Sequence, residues 1–180
     1  MSDIEARARR IRLVILDVDG VLTDGRLYYG EHDEHFRAFH VRDGLGIKLL
    51  IEYGIVVAII SGRHSRSLST RLEPLGVQYI YQGREDKQPA FAELLSKVSC
   101  SAEETAYMGD DLQDLAVMAR VGLAATVADA HPMVAARAHW TSTAAGGRGA
   151  VRELSEFILS KQGKMTAILR DRFALGPAEV

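Results

Sequence analysis

The chain has 180 residues, a length that suits one domain with a terminal extension and leaves little room for two. Hydrophobic residues at 47% and charged residues at 26% exclude a disordered chain or a coiled coil, and aromatics at 7% predict a mostly aliphatic core. A formal net charge of −2 predicts no bulk attraction to nucleic acid or an anionic membrane, while one cysteine, Cys100, excludes an internal disulfide and a multi-cysteine zinc site.

The first residues mix Asp, Glu and Arg and form no signal segment. No uncharged apolar run approaches the roughly 18 residues of a membrane span. The cytoplasm is the expected compartment. Residues 13–16 read as a buried strand ending at Asp17. A β-hairpin over about 26–40 follows, with its polar turn near Gly30 to Glu34. From there helical and strand patterns alternate. Helices are expected over 44–53, 64–72, 87–98, 112–119 and 150–160, and strands over 55–60, 77–81, 105–109 and 123–127. Residues 163–180, with Gly176-Pro177 and weak periodicity, read as an extended tail. Continuous apolar strands separated by helices predict an α/β fold. It is a doubly wound, Rossmann-like parallel sheet with helices on both faces.

Four polar features stand at or just beyond strand ends, where such sheets bind ligands. The first is Asp17-Val18-Asp19-Gly20-Val21-Leu22-Thr23. Two carboxylates two residues apart can share a crevice, one attacking phosphorus and the other handling a proton. Alone, the motif is equally a polar loop. The second is Ser61 in Ile60-Ser61-Gly62-Arg63, able to hold phosphate oxygens with the amides after it, or to cap the next helix. The third is Lys87, a counter-charge for a transferring phosphoryl group or a surface lysine. The fourth is Gly109-Asp110-Asp111-Leu112-Gln113-Asp114. Clustered carboxylates suit a hard cation such as Mg²⁺. Asp110 reads as a metal ligand, whereas Asp111 and Asp114 divide evenly between supporting the metal and capping a helix. Together the four features describe a Mg²⁺-dependent phosphoryl-transfer site.

These motifs, in this order, resemble the haloacid dehalogenase superfamily of phosphohydrolases. The resemblance implies that Asp17 is the nucleophile and Asp19 the general acid and base. Asp17, the Asp19 carbonyl and Asp110 would hold Mg²⁺, and Ser61 and Lys87 would complete the catalytic set. Over nearly the whole chain the sequence is similar to the 3-deoxy-D-manno-octulosonate 8-phosphate phosphatases. The blocks that carry this are 17–25, 40–48, 60–63, 81–83 with Lys87, 127–132 and 145–153. That likeness implies a cytoplasmic homotetramer making the inner-core sugar of lipopolysaccharide. It implies substrate contacts at Asp19, His40, Val41, Arg42, Asp43, Gly44, Lys48, Arg63, Arg71 and Lys87. His40 stands where the family is expected to carry Asn, and Lys48 where it is expected to carry Arg. The alternatives are a phosphatase of a nonulosonate 9-phosphate or of another small phosphomonoester, and a non-catalytic phosphatase-like binding domain.

The spacing leaves no cap domain. From Ser61 to Lys87, and again from Lys87 to Asp110, there is length for one helix and one strand. A small core has nothing large enough to cover its own site. The hairpin, with Tyr28, Tyr29, Phe36 and Phe39, is therefore read with the resemblance as an interface through which subunits close one another's sites. By analogy the tail enters a neighbouring site. Arg42, Lys48, Arg63, Arg66, Arg71, Arg84 and Arg148 are candidates for positive charge about the mouth.

Overall fold

The computed structural model describes residues 3–29 and 35–175. In chain order the elements are α1 (Asp3–Arg10), β1 (Leu13–Leu16), β2 (Tyr28–Tyr29), β3 (His35–Phe36), α2 (Val41–Glu52), β4 (Val56–Ile60) and α3 (Arg66–Leu72). They continue with β5 (Tyr79–Tyr81), α4 (Gln88–Val98), β6 (Thr105–Met108), α5 (Leu115–Met118), β7 (Leu123–Thr126), α6 (Pro132–Ala135), β8 (Trp140–Thr141), α7 (Ala150–Lys161) and α8 (Met165–Phe173).

Strand β1 is apolar and fully buried at all four positions, as a central parallel strand must be. It lies between β4 and β6 in a six-stranded sheet of order β5-β4-β1-β6-β7-β8, with every pairing parallel. Its side chains alternate between two cores. Val14 and Leu16 pack with Ile47 and Leu50 of α2 and Leu154 and Ile158 of α7. Leu13 and Ile15 pack with Phe91 and Leu94 of α4 and Val117 and Met118 around α5. This is the expected doubly wound sheet with helices on both faces. No cap domain is inserted among the described residues.

Register decides where the chemistry sits. Leu16 lies opposite Ile59 and Met108, so β1, β4 and β6 end almost level. Asp17, Ser61 and Asp110 emerge just beyond that common edge.

Capping residues account for most of the boundary differences. His40 caps α2 by accepting the Arg42 amide on Nδ1 at 3.2 Å, so the helix starts at Val41 rather than Gly44. Ser65 caps α3, which moves that start to Arg66 and leaves Ser61 in no capping role. The helix expected over 112–119 is a 3₁₀ turn, Leu112–Asp114, followed by the single turn of α5. Helices α1 and α6 and strand β8 lie outside the expected elements. Each is short, and α1 contains only Ile4, Ala6 and Ala8 as apolar residues among charged ones.

The final stretch corrects the sequence reading most clearly. Instead of an extended tail, Met165–Phe173 forms α8. Ile168 is fully buried, Lys164 Nζ donates to the Tyr53 carbonyl at 2.7 Å, and Arg172 pairs with Glu52. Those tertiary contacts supply the stability that local periodicity lacks. The Gly176-Pro177 end of the expected tail lies outside the described residues. The hairpin is present as antiparallel β2 and β3, with Tyr28 opposite Phe36; its expected turn, 30–34, also lies outside them. Among the described residues no helix is long and apolar enough to cross a membrane.

Helices α2 and α7 touch at Gly46. A Cβ there would lie 2.8 Å from Ser155 Oγ and 3.0 Å from the Arg152 Cα, which is backbone and cannot rotate away. Gly46→Val should therefore destabilise the fold by about 1–3 kcal/mol through overpacking, read as a lower urea midpoint at unchanged slope.

Candidate active site

The candidate side chains converge from the ends of several strands and the start of α4. Asp17 follows β1 and is 1% exposed; its amide donates to the Met108 carbonyl at 3.0 Å. Gly20 turns the chain after it, with φ of 93°, and a Cβ there would strike the Asp110 carboxylate. Ser61 follows β4 and is buried, its Oγ accepting the Arg63 amide at 3.3 Å. Asp110 follows β6. Together Asp17, Asp19, Ser61, Arg63, Asp110 and Asp111 border one cleft of about 720 Å³, joined by Gly25, Leu27, Gly62, Glu85 and Gln113.

Lys87 is not a surface lysine. It lies at the start of α4 with its side chain fully buried, and Nζ is 2.7 Å from both Asp17 Oδ1 and Asp114 Oδ1. Burial pushes the ammonium down, but the two carboxylates outweigh it and hold it above its ordinary value. Lys87 is therefore a fixed cation beneath the cleft.

Asp114 is the hub of this arrangement rather than a free ligand. Its Oδ1 accepts from Lys87 and from the Tyr107 hydroxyl at 2.6 Å. Its Oδ2 accepts the Asp110 and Asp111 amides at 3.0 and 3.1 Å. Asp111 in turn accepts the Leu112 amide at 2.7 Å and forms a capping box with Asp114. Capping is thus the observed role of both. Asp114 additionally fixes the backbone that presents Asp110.

Asp17, Asp110 and Asp114 each place an oxygen within 4.8 Å of the others. Asp114 spends its oxygens on four donors, whereas Asp17 Oδ2 and Asp110 Oδ1 are buried with no hydrogen-bond partner. Two orphaned carboxylate oxygens facing one space are the donor set of a hard divalent cation. Their electrostatics agree. Burial, then Asp114, pushes Asp17 up to about 7 despite Lys87. Burial, then Asp17, pushes Asp110 up to about 8.

Other expected residues lie elsewhere in the chain. Asp43 is buried and accepts the Gly149 and Arg152 amides at 3.3 and 2.9 Å, fixing the start of α7. Gly44 packs under the Arg71 guanidinium, His40 caps α2, and Val41 is exposed. His40, Val41, Arg42, Asp43, Gly44, Lys48 and Arg71 are absent from the lining of the Asp17 cleft. Arg71 instead borders a separate groove with Phe36, Arg37, Phe39, His64 and Arg66.

Two residues of the site escaped the sequence reading. Tyr107 is fully buried, and burial, then Asp114, holds its hydroxyl protonated, well above its ordinary value. It was legible only as one polar tip in an apolar strand that runs into the Asp cluster. Arg37 contacts Asp19, with Nε 2.8 Å from Oδ1 and Nη2 donating to Oδ2 at 3.1 Å. Its sequence signal was a lone cation between two phenylalanines of the hairpin.

Residues 77–154 match the haloacid dehalogenase-like hydrolase family. The 3-deoxy-D-manno-octulosonate 8-phosphate phosphatase of Yersinia pestis is 50% identical over 91% of this chain and 88% of its own. A Moraxella catarrhalis structure of the phosphatase of that name, in complex with magnesium, phosphate and KDO, superposes with a TM-score of 0.92. It is 37% identical and covers 95% of this chain and 98% of that one. A cobalt-bound deoxy-D-mannose-octulosonate 8-phosphate phosphatase from Haemophilus influenzae gives 0.87 at 43% identity, covering 89% and 94%.

The raised carboxyls set a pH dependence. A carboxyl whose folded value exceeds its unfolded one favours the native state when protonated. Its contribution is full below about 4 and is lost as pH rises through about 7 and about 8. Metal-free protein should therefore melt at a lower temperature at pH 8 than at pH 5. Millimolar Mg²⁺ should raise the melting temperature, most at the higher pH. Asp110→Asn should flatten the slope and weaken the Mg²⁺ response, both readable by differential scanning fluorimetry.

Proposed function

The chain belongs to the 3-deoxy-D-manno-octulosonate 8-phosphate phosphatase family of the haloacid dehalogenase-like hydrolases, and from that premise we propose how its residues divide the work. It is a phosphomonoester hydrolase. It cleaves 3-deoxy-D-manno-octulosonate 8-phosphate to the free sugar acid and phosphate through an aspartyl-phosphate, for lipopolysaccharide inner-core synthesis. The observation that carries this is the meeting of Asp17, Asp110 and Lys87 at one strand edge, with two carboxylate oxygens left unpartnered.

Asp17 attacks phosphorus in line, and the bond from phosphorus to the sugar oxygen breaks. Asp19 gives its proton to the departing alkoxide. Asp19, now ionised, takes a proton from a water that attacks the phosphoryl group, and the bond from phosphorus to Asp17 breaks. Ser61 faces the phosphoryl oxygens from the cleft lining, and Lys87, buried beneath it, holds the Asp17 carboxylate at 2.7 Å and supplies positive charge to the site. Mg²⁺ is the cofactor; the Asp17 and Asp110 carboxylates and the Asp19 carbonyl would hold it, and it would supply charge that offsets the repulsion between carboxylate and phosphate.

The working unit in this reading is a cytoplasmic homotetramer whose subunits close one another's clefts. Two observations support it. Tyr28, Tyr29 and Phe36 of the hairpin are 50%, 66% and 61% exposed. Of the expected sugar contacts outside the chain's own cleft, Val41 and Arg42 are exposed and Arg71 borders a second groove, and these would serve a neighbour's substrate, whereas Asp43 and Gly44 are buried. Arg63 lies at the cleft mouth of its own chain.

Light scattering should give four times 19.8 kDa. Arg71→Ala should raise KM about 10-fold or more at near-constant kcat, as expected for loss of a sugar-binding charge. A panel of phosphomonoesters should show preference for the eight-carbon sugar phosphate and dependence on Mg²⁺. Asp17→Asn should abolish turnover at an unchanged melting profile. Preference for a nonulosonate 9-phosphate would overturn the substrate, and an active Asp17→Asn would overturn the covalent step.

A further inference from the structure

Asp19 does not stand free in the cleft: a side chain from the hairpin holds it. We propose that Arg37 is a positioning residue of the reaction, acting through the Asp19 carboxylate. This rests on the phosphatase reading, in which Asp19 carries the proton. The Arg37 side chain is 3% exposed and that of Asp19 is 21%. Nη2 donates to Oδ2 at 3.1 Å, and this is the directional contact. Nε lies 2.8 Å from Oδ1, but neither atom has an aligned hydrogen-bond partner, so the second contact is charge against charge.

The alternative anchor is weaker. Arg63 Nε stands 3.9 Å from Asp19 Oδ2 on a side chain 61% exposed, a geometry that orders little. A buried guanidinium meeting both oxygens fixes the plane of the carboxylate as well as its place. The requirement is strict, because misplacing a proton donor by about 1 Å costs on the order of 10²-fold in rate. Asp17 has Lys87 from below the sheet edge. Asp19 has Arg37 from above, delivered by the residue that directly follows β3. The hairpin is thus a catalytic support as well as an exposed surface.

The test uses full-length Arg37→Ala and Arg37→Lys with the best alkyl phosphate of the panel, whichever it is, and with p-nitrophenyl phosphate. The nitrophenolate leaves without needing a proton, so its release in the first turnover does not depend on where Asp19 points. Arg37→Ala should lower kcat on the alkyl phosphate by about 10- to 100-fold, with KM changed by no more than about twofold. First-turnover nitrophenolate release should stay within about threefold of the unaltered enzyme. Arg37→Lys should recover part of the loss, because it keeps the charge but not the fork. In an Asp19→Asn background, removing Arg37 should cost nothing further on the alkyl phosphate.

A rise in KM at constant kcat would make Arg37 a substrate contact and overturn the inference. Equal losses on both substrates would make it structural, and additive losses in the double variant would detach it from Asp19; each overturns it too. If the preferred substrate is another alkyl phosphate, the substrate assignment falls while the Arg37 comparison is still read on that ester.

Discussion

The rest of the site depends on one buried cation. Lys87 lies beneath the cleft with no solvent contact, bonded to Asp17 and Asp114. An isolated buried ammonium would lose its proton or open the structure. Here two carboxylates keep it charged, and Tyr107 donates to the same Asp114 oxygen as Lys87. Removing one partner of such a pair costs about 3–5 kcal/mol, because the other charge is left unpaired. The chain is consequently committed to this geometry, and the position of Asp17 follows from it.

One cation cannot balance three carboxylates. With Lys87 placed between Asp17 and Asp114, Asp110 is left facing Asp17, and both carboxyls are pushed well above the usual range. The orphaned oxygens mark where the missing charge belongs. The same excess of negative charge that disfavours the metal-free fold at higher pH is what recruits a divalent ion, so metal affinity and stability are linked through the same two side chains. Asp114 takes part without being a free ligand. By accepting the amides of Asp110 and Asp111 it fixes the loop in the conformation that aims Asp110 at Asp17.

The parallel sheet makes this convergence inexpensive in backbone distortion. Because Leu16, Ile59 and Met108 share a register, residues far apart in sequence leave the sheet at one edge. The hairpin follows β1 and the Asp17 to Thr23 loop and brings Arg37 back to Asp19. It leaves Tyr28, Tyr29 and Phe36 outward.

The sequence by itself determined the strand-and-helix rhythm and the absence of room for a cap, and it put forward Asp17, Asp19, Ser61, Lys87 and Asp110 as the candidate chemical set. These were legible because apolar period and motif spacing are local properties, and a charged residue at the end of a buried strand has few bland explanations. Only the tertiary structure showed which donors Asp111 and Asp114 accept, since capping and ligation begin from the same residue types and differ in which donors arrive from elsewhere. It alone turned 165–173 into a helix, because Ile168 and Lys164 find their partners in distant segments. It alone brought Arg37 to Asp19 and Tyr107 to Asp114. Those side chains act across a fold in which their partners are set by strand register and hairpin path, neither of which is written in local sequence.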